Sequence, residues 1–286
     1  MKELVIEVPA KINLFLHYLG TRTDGFAEII TGLQTIDLFD TLIFQEIGSG
    51  FEFYCDREDL PRDENNLVYR AASLFRDSFG FPGGVRIVLK KRIPIEAGLG
   101  GGSADAAGTL AGLREFFGLN NISNGELQNV ASFLGSDVPF FLTRGQAIAR
   151  GRGEILDEVE FPTNYTVVII KPEFGISTRW AYDYLKNSLT PSQKEFILSP
   201  INLDTFLESL SRLGNDFENF LFVRYPEYIG LAGFLRDCGA QIVRITGSGS
   251  AIYGIFKDEN EARRAKEKGK QRGLETYLSH SIILKF

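Results

Sequence analysis

The chain has 286 residues, 44% of them apolar and 24% charged, enough for two domains of ordinary size and a sizeable core. A formal charge of −6 and a pI near 5.2 argue against a general nucleic-acid or membrane-surface binder, which needs a basic face. They leave room for a small anionic ligand. Cys55 and Cys238 match no metal or redox spacing and are expected as buried free thiols in a reducing compartment. The opening "MKELVIEVPAKINLF" lacks the features of a secretory signal. No stretch approaches the roughly 20 apolar residues of a membrane span, so a cytoplasmic protein is expected.

In chain order, residues 4–8 and 12–20 are rich in β-formers and predict two strands separated by "PAK". Residues 26–47 predict further strands, interrupted around "DLFD". Leu67, Ala71, Leu74, Phe75 and Phe79 recur at helical spacing and predict a helix over 66–79 closed by Gly80. The alternating stretch 85–94 predicts a strand, followed by a glycine loop and an Ala/Leu-rich helix over 103–118. "NGELQNVASFLG" reads as a helix with a glycine stop, and "QAIARGRGEIL" as a strand pair turning at Gly151 or Gly153. The hydrophobic pattern restarts at the almost wholly apolar strand 165–172, which sets a domain boundary near 155. Beyond it come a helix after "GISTRW", helices around 202–213 and 226–238, and strands at 241–246 and 250–256. A charged helix and a last strand, "YLSHSIILKF", finish the chain. The mixture with hairpin-like strand neighbours is that of an α+β fold.

The densest chemical signal is "IEAGLGGGSADAAG" over residues 95–108. No Lys follows its glycines, which excludes a Walker A loop. Ser103 stands where a dinucleotide fingerprint needs its third glycine. What remains is strand, glycine run, serine and helix. Pro94 ends the strand; Gly98, Gly100, Gly101 and Gly102 let backbone N–H groups converge, and the helix adds its positive end. Such a nest suits a triphosphate, with the Ser103 hydroxyl suited to a magnesium ion. Asp105, read in the first helical turn, is expected to complement the helix dipole as a structural residue.

"PAKINLFLHYLGTRTDGF", "PIEAGLGGGSADAAG" and "RITGSGSAIYGIF" follow the order and spacing of the GHMP small-molecule kinases, which the chain resembles over essentially its whole length. "NNLVYRAA", "LGSDVPFFL" and "NDFEN" make it most similar to the branch acting on a diphosphocytidyl methylerythritol in non-mevalonate isoprenoid precursor synthesis. The resemblance implies a two-domain fold, 1–155 with ATP-binding and catalytic residues and 156–286 C-terminal. The active site would lie in the cleft between them, and the last strand could return to the first domain. It further implies ATP and Mg²⁺, with Gly98, Leu99, Gly100, Gly101, Gly102 and Ser103 on the phosphates. Asn65, Leu67 and Pro94 would serve the nucleotide. Asp137 would be the general base and Lys11 its partner. Asn13, Phe26, Asp137, Thr246, Gly247, Ser248 and Gly249 would bind the substrate, with Phe26 stacking on its cytosine.

The chain departs from the branch at "DGFAE", where the family usually reads "DGYHE": Phe26 keeps a stacking face and Ala27 loses a side chain. Another GHMP kinase, of homoserine, mevalonate or a sugar, and a nucleotide-binding protein without catalysis are the competing readings. The partners expected are ATP and the small substrate, with no nucleic acid and no membrane, for a monomer or homodimer.

Overall fold

The computed structural model describes residues 2–188, 191 and 202–284. The chain forms two compact units that do not follow chain order. Unit 1 takes Met1–Ala10, Leu38–Ile95 and Gly100–Gly145; unit 2 takes Lys11–Asp37, Glu96–Leu99 and Gln146–Phe286. The boundary near 155 is a cut in sequence, whereas compactness assigns alternating stretches to the two units.

Two long strands, β1 (Glu3–Thr21) and β2 (Ala27–Ile47), contribute residues to both units. Each was expected to be broken, and each runs through. Along a strand the N–H groups alternate in direction, so Pro9 and Lys11 face the same side. The Lys11 N–H donates to the Leu99 carbonyl rather than to β2, so the N–H that Pro9 lacks lies outside the β1–β2 pairing. In "DLFD" both carboxylates collect donors from neighbouring segments: Asp37 from Ser279 and His280, Asp40 from Arg92 and Ile93.

In unit 1, residues 41–47 of β2 pair antiparallel with β4 (Gly84–Lys90), which pairs in parallel with β3 (Phe51–Cys55). Helix α1 (Leu67–Phe79) buries Val68, Ala71, Ala72 and Phe75, is capped by Asn66 and stops at Gly80. It packs against α2 (Gly101–Phe117), whose small residues are buried on nearly every side. Helix α2 begins two residues before the predicted Ser103, because Gly100 in the left-handed conformation serves as its N-cap. Helix α3 (Asn124–Ser132) opens with a Ser123–Glu126 capping box and ends at Phe133 rather than at a glycine. A 3₁₀ turn, Pro139–Leu142, follows.

In unit 2, residues 29–34 of β2 pair with β5 (Gln146–Gly151), which forms a hairpin with β6 (Ile155–Glu158). A second sheet has the order β10–β7–β9–β8, all antiparallel: β7 (Thr166–Lys171), β8 (Ile242–Ile245), β9 (Ile252–Phe256) and β10 (Glu275–His280). Strand β7 is buried along most of its length, as its apolar run predicts. The predicted last strand ends at His280; residues 285 and 286 lie outside the described residues. Helices α4 (Thr178–Ser188), α5 (Leu203–Arg212), α6 (Glu218–Arg224), α7 (Glu227–Asp237) and α8 (Glu259–Gln271) complete the unit. Helix α4 starts at Thr178, within "GISTRW" rather than after it, and α6 was not foreseen. The core gathers Leu16, Val168, Ile170, Phe217, Tyr228, Ile252 and Phe256. Cys55 is buried as expected, but Cys238 is only half-buried. Among the described residues no helix is long and apolar enough to cross a membrane.

Candidate functional site

The glycine loop leaves β4 through Lys91, Arg92 and Ile93. The Asp40 carboxylate accepts the Arg92 N–H at 2.5 Å and the Ile93 N–H at 2.8 Å, fixing the exit, and Pro94 follows half-buried. Gly98 has φ +73°, and a Cβ there would collide with the Thr246 carbonyl oxygen. The position therefore requires glycine on two counts, backbone conformation and space. Gly100, at φ +73° and ψ +12°, turns the chain into α2. No side chain caps this helix and its first turn carries no acidic residue. The free N–H groups of a helix start are donors for an anion, and a carboxylate there would repel one. Gly102 is exposed and Ser103 half-buried, while Leu99 and Gly101 are buried. The loop's composition and conformation thus fit a polyphosphate.

Leu67 lies beside this turn: a Cβ on Gly102 would stand 3.5 Å from its Cδ1. Asn65 is exposed, with both its N–H and its amide held by Asp63 Oδ1 at 3.0 and 2.9 Å, while the neighbouring Asn66 caps α1. Under the start of α2 sits a buried ion cluster. The Lys91 ammonium pairs with Asp40 and, at 2.7 Å, with Asp105. A Cβ on Gly101 would come 3.1 Å from the same ammonium. Asp105 is therefore structural, but through Lys91 and not as a dipole partner in the first turn. Burial, reinforced by Asp40, outweighs Lys91 and pushes the Asp105 carboxyl up to about 8.

Unit 2 brings together most of the expected substrate residues. Lys11 and Asn13, two apart on β1, face the same side. Both are 3% exposed, and the Lys11 ammonium donates to Asn13 Oδ1 at 2.5 Å. The Asn13 N–H donates to the Thr246 hydroxyl at 3.1 Å, and its amide to the Thr31 hydroxyl at 2.9 Å. Thr246 in turn donates to the Gly98 carbonyl at 3.0 Å. A Cβ on Gly247 would lie 3.2 Å from Asn13 Oδ1 and 3.5 Å from the Lys11 nitrogen. The Ser248 hydroxyl donates to Thr178 at 3.2 Å, and the Gly249 N–H to the Thr246 carbonyl at 3.0 Å. The first half of the glycine loop joins this network, with the Ser250 and Ala251 N–H groups donating to the Glu96 and Ala97 carbonyls.

Phe26 is 52% exposed at the β1–β2 turn, with the Arg152 guanidinium 4.7 Å from its ring centroid. Asp137 lies half-buried in the turn before the 3₁₀ segment, in unit 1, whereas Lys11 belongs to unit 2. Sequence reasoning passed over Thr31, Asn215, Tyr253, Lys91 and Arg152 as contributors. Of these only Asn215 carried a signal, within "NDFEN"; Tyr253 donates to the Asn13 carbonyl at 2.8 Å from deep in the core. Among the described residues no group of three or more His, Cys, Asp or Glu is placed to hold a metal ion.

The pattern of the GHMP kinases N terminal domain matches residues 66–145, and that of the GHMP kinases C terminal region matches 194–274. The 4-diphosphocytidyl-2-C-methyl-D-erythritol kinase of Exiguobacterium sibiricum is 38% identical over 264 residues, 91% of this chain and 92% of the relative. The enzyme of the same name from Clostridium botulinum (strain Loch Maree) is 36% identical over 96% of this chain and 98% of its own. A crystal structure of 4-(cytidine 5'-diphospho)-2C-methyl-D-erythritol kinase superposes with TM-score 0.81 and 34% identity, covering 98% of this chain and 99% of that one.

Proposed function

The chain belongs to the 4-diphosphocytidyl-2-C-methyl-D-erythritol kinases, a branch of the GHMP kinases, and we propose that it phosphorylates the 2-hydroxyl of 4-diphosphocytidyl-2-C-methyl-D-erythritol with ATP. The reaction serves non-mevalonate isoprenoid precursor synthesis in the cytoplasm. The single observation that carries the assignment of residues is the network joining Lys11, Asn13, Thr246 and Gly98, which ties the family's three motifs together.

Phosphoryl transfer to an alcohol asks for an aligned acceptor, a route for its proton and donors for the charge on the transferred group. Gly98, Leu99, Gly100, Gly101, Gly102 and Ser103 bind the ATP phosphates through backbone N–H groups. Leu67, Asn65 and Pro94 line the side of the adenine. The Ser103 hydroxyl would hold a magnesium ion, which would screen the charge of the ATP phosphates. Asp137 takes the proton of the acceptor hydroxyl. Lys11, aligned by Asn13, donates to the oxygens around the reacting phosphorus. Thr246, Gly247, Ser248 and Gly249 line the substrate, and Phe26 stacks on its cytosine.

The test is ADP release with ATP and magnesium, offering the diphosphocytidyl methylerythritol beside homoserine and mevalonate. Turnover of the cytidine compound alone is expected. Asp137→Ala should lower kcat by roughly 10²–10⁴-fold, the usual contribution of general-base help. Turnover of another alcohol, or full activity of Asp137→Ala, would overturn the assignment.

A further inference from the structure

The segment Gly214–Glu218, "GNDFE", holds two parts of the frame around the proposed substrate residues in unit 2. Toward β1 it forms a short ladder: the Leu16 N–H donates to the Gly214 carbonyl at 3.0 Å, and the Asp216 N–H to the Leu16 carbonyl at 2.9 Å. The Asp216 carboxylate accepts the Tyr18 N–H at 2.8 Å and meets His17 Nδ1 at 3.1 Å. The same strand carries Lys11 and Asn13. Toward the loop after β8, Glu218 accepts the Ile245 N–H at 2.8 Å. Asn215 Nδ2 donates to the Ile245 and Gly247 carbonyls, both at 2.8 Å.

Asn215 is 3% exposed, and its polar group is fully used, since Oδ1 accepts the Phe217 N–H at 3.0 Å. An amide nitrogen has two protons; one goes to the last residue of β8 and the other to the loop after it. Holding the Gly247 carbonyl has a geometric consequence. The peptide bond from Gly247 to Ser248 is trans, so its N–H points opposite to its carbonyl. The Ser248 N–H is thereby aimed away from Asn215, and among the described residues no backbone carbonyl accepts it.

We propose that Asn215 is a positioning residue for the kinase reaction: by fixing the Ile245 and Gly247 carbonyls it aims the Ser248 N–H at an anionic oxygen of the substrate. This rests on the placement of residues 246–249 at the substrate under the function proposed above. The ligand chemistry is that of a phosphate or diphosphate oxygen, which takes a backbone N–H as a strong acceptor.

Asn215→Asp keeps the shape and removes both donors, placing a carboxylate against two carbonyl oxygens. With wild type beside it, the variant is expected to raise the KM for the diphosphocytidyl methylerythritol roughly tenfold, as for one misplaced donor. The KM for ATP should stay within about twofold. Asn215→Ser, which keeps one hydroxyl donor, should fall between. Wild-type KM for the cytidine compound in a folded variant overturns the proposal, as does a loss of kcat alone, which would report only a fraction of misfolded enzyme. Should both variants fail to fold, the readout moves to the wild-type Ser248 amide resonance. It is expected to shift when the diphosphocytidyl methylerythritol is added without ATP, and an unmoved resonance with bound ligand overturns the proposal. A wild type that neither binds nor turns over the cytidine compound would instead sink the functional assignment.

Discussion

Two buried polar regions, one in each unit, are built by opposite chemistry. In unit 1, Lys91 is held between Asp40 and Asp105, three ionisable groups withdrawn from water beneath the start of α2. In unit 2, Asn13, Thr31, Thr246 and Asn215 form a network of neutral amides and hydroxyls, with Lys11 as its one cation. The charged cluster has an unmatched end, because Asp105 Oδ1 is buried with no hydrogen-bond partner. In the neutral network Asn13 and Asn215 have every amide group engaged with a neighbour. The difference teaches where tolerance lies: an ion cluster depends on each of its members, while a neutral network loses one bond at a time.

The sharpest way to break that comparison is to remove one member from each region. Lys91→Met leaves the Asp40 and Asp105 carboxyl groups buried without their cation and is expected to cost about 3–5 kcal/mol, the usual penalty for breaking a buried pair. Asn13→Ala removes the partner of Thr31 and Thr246 and should cost about 1–3 kcal/mol. Urea unfolding of both variants reads the two values directly. Equal losses would show that the charged cluster is as forgiving as the neutral network, and the contrast would fall.

The response to pH sharpens the same contrast. The Asp105 carboxyl is pushed up to about 8 by burial, with Asp40 adding to the effect against Lys91. An unfolded chain would release that proton near pH 4. Between those values the folded protein holds more protons than the unfolded one, so its stability falls as pH rises. Asp105→Asn removes this slope, and the wild type should lose stability relative to it from about pH 4 upward to about 8. Asp37 in unit 2 has the opposite sign. Burial raises its carboxyl, but the His280 N–H, the His280 ring and the Ser279 hydroxyl together bring it below the usual range. Its contribution is present above the ordinary carboxylate value and is lost as pH falls through its own. Unfolding curves across pH for wild type, Asp105→Asn and Asp37→Asn would separate the two, and parallel curves would refute both signs.

Much of this was legible in the residues, and the exceptions have physical causes. The helices with clean periodicity, α1 and α8, and the buried strand β7 lie where their patterns place them. The glycine loop was readable because only a left-handed turn and a close backbone approach demand glycine at Gly98 and Gly100. The strands were misjudged at Pro9 and "DLFD", where breakers in local terms are satisfied by partners far along the chain. Lys91 and Asp105 illustrate the same limit: they lie 14 residues apart, and nothing in the sequence says that a strand exit and a helix will bury them against Asp40. Short α6 was hidden because seven residues, Glu218–Arg224, give too little periodicity to recognise. Arg152 carried no signal at all, since a surface arginine in a hairpin turn reads as solvated until the ring beneath it is seen.

That ring supplies the smallest expected effect on stability and the cleanest separation of binding from folding. Phe26 is half in solvent, and the Arg152 guanidinium lies over its ring. An exposed cation–π contact contributes about 0.5–1 kcal/mol, so Phe26→Ala should unfold close to the wild-type midpoint. Under the proposed function its expected cost is in recognition, because the flat face that would stack on a cytosine disappears while the backbone stays in place. The KM for the diphosphocytidyl methylerythritol should rise by about tenfold, the order expected when an aromatic stacking face is lost, with the KM for ATP unchanged. Phe26→Tyr should retain the wild-type KM, since the face is kept and a hydroxyl is added. Were Phe26→Ala to leave the KM for the cytidine compound untouched, the exposed ring would be packing for Arg152 alone. The base would then have to be read by backbone groups of the turn, which is also how a chain with Ala27 in place of the family's histidine could still recognise a cytosine edge.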